Sequence, residues 1–283
     1  MELIKIIIIK VLKFFKIFEK NRKLNFEIVF KLRCIYLFFY NLLVFEKKLI
    51  NFMIISGSDK GIKYKKMYNI LPELIEKKNP TILEIGIGGH SAKYSGGKSL
   101  QALMFFYRKG KIIGADIIDK TFLDRSNLET VILDQNSISE LNKLGKKFKY
   151  FDVIIDDGSH FPKHQKKSFE VLFNYLSDGG VYIVEDMRSS YRKGYEGDPN
   201  LGKGNLVEFF KALSHAPNSE MLKRKFLIKL RNYKNIELIF FFNGAVLIKK
   251  KNKKHKIASS KDLNKSYKSF DKRKTKQGYL VLS

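Results

Sequence analysis

The sequence predicts an α/β fold: a mainly parallel sheet finished by a C-terminal β-hairpin. Three observations carry this. Short apolar runs of strand length alternate with amphipathic segments of helix length, the pattern of a parallel sheet with crossover helices. The stretch from Thr81 to Asp119 reads as strand, glycine-rich turn, helix and strand in immediate succession. Near the end, Ile236–Phe242 and Ala245–Ile248 are separated by Asn243-Gly244, a dipeptide suited to the positive φ angles of a tight hairpin turn.

The elements follow in order. Gly57-Ser58-Asp59-Lys60-Gly61 is a polar turn at the entry to the main domain. Tyr64, Met67, Tyr68, Leu71 and Leu74 recur at helical spacing, and Pro80 separates that helix from the first strand, where Ile82, Leu83, Ile85 and Ile87 form the apolar run of a buried parallel strand. A helix covers 99–106, and Lys111–Asp116 is a second strand closing on a carboxylate. Glu129–Leu133 is a third strand, ending at Asp134-Gln135. Ser137-x-x-Glu140 is a capping box that opens a helix to about Phe148. Asp152–Asp156 is a fourth strand running into Asp157-Gly158-Ser159-His160. Phe169, Leu172, Phe173 and Leu176 line a helix that Gly179-Gly180 is expected to end, and Val181–Val184 is a fifth strand closing on Glu185-Asp186. Leu206–Leu213 is a last helix before the hairpin.

The glycine turn points to a nucleoside-containing cofactor. Glycines at 86, 88 and 89 let the backbone turn tightly and approach a ligand closely, and Asp116, ending the next strand, is placed to accept ribose hydroxyls. Three cofactor classes compete. A dinucleotide fingerprint would want a third glycine where Ser91 stands. A phosphate-binding loop fits Gly97-Lys98-Ser99 but has Ala92 in place of its first glycine. S-adenosylmethionine suits the spacing acid-x-Gly-x-Gly, met by Glu84-Ile85-Gly86-Ile87-Gly88. The cofactor set is therefore Glu84, Gly86, Gly88, Gly89 and Asp116, with Asp134 and Gln135 at the end of the third strand.

Composition sets the outer limits. The 283 residues carry 44% hydrophobic side chains, ample for a core, and Cys34 as the single cysteine. An intrachain disulfide is thereby excluded and a reducing cytoplasm fits. The net charge of +27 is unevenly placed: residues 1–54 hold 11 Lys/Arg against 4 Asp/Glu, and residues 249–283 hold 13 against 2. Basicity concentrated in the flanks argues against a nucleic-acid-binding face and suits an anionic surface, either a membrane leaflet or a polyanion, or tails that simply keep the protein soluble. Three parts are expected: a basic, apolar helical segment over 1–54, a catalytic domain over 55–250 and a basic tail over 251–283. In the first, Lys10, Lys13, Lys16 and Lys20 recur at helical spacing opposite Ile, Leu and Phe, as in a helix lying in a membrane interface or packed on a domain or partner chain. Its longest uncharged run, Cys34–Phe45, has 12 residues, short of the about 20 that span a bilayer. Ile6–Ile9 has no cleavage pattern after it, so no signal peptide is expected. The expected location is cytoplasmic, with the inner membrane face as a contact; a homo-oligomer is left open.

Acids sit at or near the end of every parallel strand: Glu84, Asp116, Asp134, Asp156-Asp157 with His160, and Glu185-Asp186. Ligands of open α/β sheets bind at the carboxyl ends of the strands, and like charges converging there call for a cation, for which carboxylates are hard ligands.

Several stretches together carry a resemblance: Ser58-Asp59-Lys60-Gly61, Leu83–Gly89, Gly96–Leu100, Asp134-Gln135, Asp156–His160, His164 and Val184-Glu185-Asp186. Over about residues 56–250 the chain resembles the metal-dependent sugar O-methyltransferases of macrolide biosynthesis, the macrocin and mycinamicin enzymes, whose relatives include proteins labelled cephalosporin hydroxylase or rhamnosyl O-methyltransferase. The resemblance implies a Rossmann-like fold using S-adenosylmethionine and Mg²⁺. It implies that Asp157, Glu185 and Asp186 hold the metal, that His160 is the general base, and that the acceptor is a sugar hydroxyl of a glycan, glycolipid or secondary metabolite. His164 and Tyr191, in the loop after the fifth strand, are candidate substrate contacts. A P-loop NTPase, or a non-catalytic membrane- or polyanion-binding protein with a degenerate domain, are the alternatives.

Overall fold

The computed structural model describes residues 26–43, 47–89, 94–202, 204–222 and 230–252; the lysine repeat of the first 20 residues and nearly all of the basic tail lie outside them. Among the described residues a seven-stranded sheet has the order β3-β2-β1-β4-β5-β7-β6. Its strands are β1 (Thr81–Ile85), β2 (Lys111–Asp116), β3 (Leu128–Ile132), β4 (Phe151–Asp156), β5 (Leu176–Val184), β6 (Ile236–Phe242) and β7 (Ala245–Lys250). β1 to β5 pair in parallel, and the closing hairpin adds antiparallel to β5.

The apolar runs become the central strands because helices cover both faces. Every residue of β4 is buried, and Ile82 and Leu83 are fully enclosed. One face packs under α1 (Phe26–Leu43), α2 (Leu49–Ile55), α4 (Lys65–Leu74) and α5 (Lys98–Phe106), with the short α3 (Lys60–Lys63) between α2 and α4; the other packs under α6 (Ile138–Phe148), α7 (Pro162–Leu172) and α8 (Leu206–Ala212). Strand order reverses between β1 and β4, which sends their crossovers to opposite faces and opens a crevice at their carboxyl ends.

Half of the capping box forms: the Ser137 hydroxyl accepts from the Glu140 amide, but the Glu140 carboxylate reaches past Ser137 to accept from the Asp134 amide at 2.8 Å, and the Ser137 amide donates to Asp134 O. Two local expectations shift. The helix expected to run to Gly179-Gly180 stops at Leu172; one 3-10 turn follows, and β5 already starts at Leu176, opposite Phe151, so the two glycines lie inside the strand. The apolar spacing of Phe173 and Leu176 is met by that turn packing on the same cluster. The 54/55 line falls in the last turn of α2, whose Leu49, Ile50, Phe52, Met53 and Ile55 share one hydrophobic cluster with Ile82 of β1 and Leu103 of α5. Burying five such side chains is worth about 1.5–3 kcal/mol each, so α2 is bound to the sheet domain.

Candidate active site

The site is built at the ends of β1, β4 and β5. Past their last residues the strands stay in register: the Asp157 amide donates to Ile85 O at 2.9 Å and the Glu185 amide to Asp156 O at 2.9 Å. Acids far apart in sequence are thereby set side by side. Gly86, between them, has φ +76°, and a Cβ there would lie 2.2 Å from Asp157 O. Only glycine lets the two loops touch. Gly88 also has a left-handed backbone (φ +75°), and a Cβ there would meet only the Gly96 backbone, at 3.8 Å.

Glu185 and Asp186 diverge, because Asp186 adopts φ +51° directly after the strand. Glu185 turns inward and is buried: Lys60 Nζ lies 2.6 Å from Oε2, and the Tyr68 hydroxyl donates to Oε1 at 2.5 Å. Asp186 turns outward, accepting from the Tyr64 hydroxyl at 2.7 Å, with His160 Nε2 at 3.7 Å. His160 itself sits at φ +60°. Non-glycine residues in this region cost about 1–3 kcal/mol each and cluster at functional sites. Asp157, His160 and Asp186 each offer a ligand atom, and these atoms lie within 4.8 Å of one another.

Lys60 organises the floor. Its fully buried ammonium is 2.5 Å from Asp157 Oδ2, 2.6 Å from Glu185 Oε2 and 3.3 Å from Glu84 Oε1. Burial alone would lower its pKa, but the surrounding carboxylates hold it well above the ordinary lysine range, so it is charged. Burial pushes the Glu185 carboxyl up, and the Lys60 ammonium pulls it back toward ionisation. The cluster still has more carboxylates than cations: Glu84, Asp157, Glu185 and Asp186 surround Lys60, with Lys63 3.9 Å from Asp186 at the rim. His160 Nδ1 is buried without a hydrogen-bond partner. The oxygen donors of Asp157 and Asp186, converging with the His160 imidazole, fit a hard divalent cation.

The other expected site residues divide. Asp116 closes β2, and its carboxylate accepts from the Ile87 and Ile118 amides at 3.1 and 3.0 Å, tying the glycine turn to the next strand. Gln135 bridges loops, donating to Asp156 Oδ1 at 2.6 Å and accepting from the Ser159 amide at 2.9 Å. Asp134 caps its own loop through the Asn136 amide. Glu84 is fully buried beneath the turn, accepting from the Ser99 hydroxyl at 2.7 Å. That bond, with the Gly97 amide donating to Ile87 O at 2.7 Å, occupies the groups a phosphate loop would need. His164 Nδ1 pairs with the Ser159 hydroxyl at 2.9 Å, and its pKa is lowered by burial and by Lys163 and Lys167. Tyr191 is exposed and lies outside the cleft beside Asp186; Tyr195 lines it.

Sequence reasoning passed over Lys60, Tyr64 and Tyr68 as site residues. Their spacing of four was a usable signal, since such residues share one face of a helical stretch. Arg188, Ser189 and Arg192, which line the cleft, carried no such signal.

No protein-family model matches the chain. It is 41% identical over 126 residues to demethylmacrocin O-methyltransferase of Streptomyces fradiae, covering 44% of this chain and 32% of that protein. It is 38% identical over 137 residues to mycinamicin VI 2''-O-methyltransferase of Micromonospora griseorubida, covering 48% and 34%. Among solved structures it resembles the MycE methyltransferase of the mycinamycin biosynthetic pathway in complex with Mg and SAH, with a TM-score of 0.68 at 27% identity over 73% of this chain and 55% of that one. The chain thus matches about a third of the length of these curated relatives. The sheet order and this likeness establish a Rossmann-like fold of the S-adenosylmethionine-dependent methyltransferase type.

Proposed function

We propose that this chain transfers a methyl group from S-adenosylmethionine to a sugar hydroxyl, assisted by Mg²⁺. The observation that carries the reading is the convergence of Asp157, His160 and Asp186 beside a glycine turn at the strand-order switch. The likeness to sugar O-methyltransferases, and to an enzyme whose structure holds Mg and SAH, supports it. The cofactor would lie along Gly86, Gly88 and Gly89, with Asp116 reaching the ribose and Asp134 and Gln135 closing the adjoining wall.

Asp157 and Asp186 would hold the metal. Glu185, committed to Lys60 and Tyr68, joins them only by exchanging one of those contacts. A divalent cation there supplies Lewis acidity that lowers a hydroxyl's pKa, and S-adenosylmethionine supplies an electrophilic methyl. The chain's own part is to place and deprotonate the acceptor. The Tyr64 hydroxyl holds Asp186 twice, donating to its carboxylate and accepting from its amide, and His160 faces the same cleft to take the proton. His160 would take the hydroxyl proton as the acceptor oxygen receives the methyl group that S-adenosylmethionine would supply, leaving the thioether behind. The helix face of α1 carries exposed Ile28, Leu32, Ile35, Phe39 and Leu42. That stripe, next to a basic flank, supports peripheral contact with anionic lipid. No described helix is long and apolar enough to cross a membrane.

The test pairs calorimetry with turnover. Asp157→Asn and Asp186→Asn should weaken Mn²⁺ or Mg²⁺ binding while leaving SAH affinity near wild type. His160→Ala should bind both yet lose about 10²–10⁴-fold in rate. Full methyl transfer in EDTA removes the metal from the reading; a near-wild-type His160→Ala rate moves the base elsewhere.

A further inference from the structure

The cleft that opens from His160 and Asp186 has a volume of about 310 Å³ and is lined by Lys63, Tyr64, Arg188, Ser189, Arg192, Tyr195 and Asn243. Its charge is lopsided. Arg188 and Arg192 bring two cations to a wall whose carboxylate, Asp186, already belongs to the metal cluster, while a third, Lys63, is paired with Asp59 at 2.9 Å. Arg188 is fixed in place: its guanidinium donates to Asn243 Oδ1 at 3.1 Å, and the Met187 amide donates to Gly244 O at 2.9 Å, docking the chain onto the hairpin turn. The Arg192 side chain has no hydrogen-bond or ion-pair partner among the described residues. Between the two arginines in sequence, Ser189 is 95% buried, and its unpartnered hydroxyl is enclosed beneath the cleft wall.

We infer that the acceptor is an anionic sugar, carrying a phosphate or pyrophosphate ester that Arg188 and Arg192 hold. This rests on the methyl-transfer reading of the same cleft and narrows its substrate. Planar guanidinium groups match two oxygens of an oxyanion at once, which a neutral glycoside does not offer. Two guanidinium groups suit the double charge of a phosphate ester better than the single charge of a uronic acid. Tyr195 lines the same space, giving a ring face for the sugar next to the metal cluster where a hydroxyl would react. A volume near 310 Å³ is at the small end of ligand sites, about 300–1,000 Å³, and takes a phosphorylated monosaccharide unit.

The test is calorimetry on the full chain with Mg²⁺ present, titrating α-D-glucose 1-phosphate, UDP-glucose, glucuronate and methyl α-D-glucoside, with SAH as a parallel titrant. Glucose 1-phosphate or UDP-glucose should bind at least tenfold more tightly than the methyl glucoside. Arg188→Ala/Arg192→Ala should lose that advantage while keeping SAH affinity and the melting temperature; Arg188→Lys should keep part of it. Binding confined to UDP-glucose marks a nucleotide-borne sugar as the source, and binding of both marks the phosphate itself. Equal binding of the neutral glycoside, or no change in the double variant, overturns the inference, and preferred binding of glucuronate overturns the phosphate assignment. If SAH binds and no phosphorylated sugar does, this inference fails alone. If SAH does not bind, the methyl-transfer reading fails, whatever the sugar titrations show.

Discussion

Replacing Lys60 by methionine keeps the length of the side chain and removes its charge. At an effective dielectric of about 20, unit charges at the observed 2.5 and 2.6 Å attract by about 6 kcal/mol each, with about 5 kcal/mol more from the 3.3 Å contact to Glu84. Much of that offsets the cost of taking the ammonium and its three carboxylates out of water, several kcal/mol per ion. The substitution is not a simple reversal of that balance, because it leaves Glu84, Asp157 and Glu185 facing one another without their cation. Breaking a buried ionic network by removing one partner costs about 3–5 kcal/mol. That is a large fraction of the about 5–15 kcal/mol that holds a domain folded. Urea unfolding of the full chain in EDTA should show this loss as a lower midpoint with an unchanged slope. Added Mg²⁺ should then raise the midpoint of Lys60→Met more than that of the wild type, since the metal would answer the charge that the lysine left. A loss below about 1 kcal/mol in EDTA, or equal stabilisation by Mg²⁺ in both proteins, would refute the claim that Lys60 balances this cluster.

Three further outcomes follow from the geometry. Gly86→Ala places a side chain on a left-handed backbone, about 1–2 kcal/mol, and drives its Cβ into the Asp157 carbonyl; a melting temperature within 2 °C of wild type, where about 1 kcal/mol shifts it by roughly 2–4 °C, would show that the β1 and β4 loops do not need to touch. The buried Asp156 carboxyl is pushed up to about 7, chiefly by desolvation. An acid whose folded pKa is raised favours folding below its unfolded pKa of about 3.9, and that contribution is lost as pH rises through 7. Asp156→Asn should therefore flatten the fall in stability between pH 4 and 7, and urea midpoints that fall in parallel in both proteins contradict the shift. Finally, the α1 stripe predicts that the full chain floats with anionic vesicles and that Ile35→Asp/Phe39→Asp does not; equal flotation of the two assigns the contact to another part of the chain.

The sequence by itself determined the order of strands and helices, the glycine turn, the hairpin and the acids at the strand ends. Those features are local: a buried parallel strand must be apolar over four or five consecutive residues, a tight turn must have glycine or asparagine, and a cap must have its partner three residues on. It also showed that Glu84 interrupts an apolar strand, without showing what a buried carboxylate there is for. Only the tertiary structure answered that, because the compensating ammonium comes from Lys60, on a helix whose contacts to Asp157 and Glu185 span 97 and 125 residues. Strand alternation alone sets Glu185 and Asp186 apart, and the left-handed backbone at Asp186 fixes the result, with one carboxylate on the buried floor and the other in the cleft. The cationic wall of Arg188 and Arg192 was equally out of reach in a chain of net charge +27. An arginine becomes part of a site through what the fold places opposite it, and here the fold places it against the hairpin turn, an unpartnered serine hydroxyl and the open ends of β4 and β5.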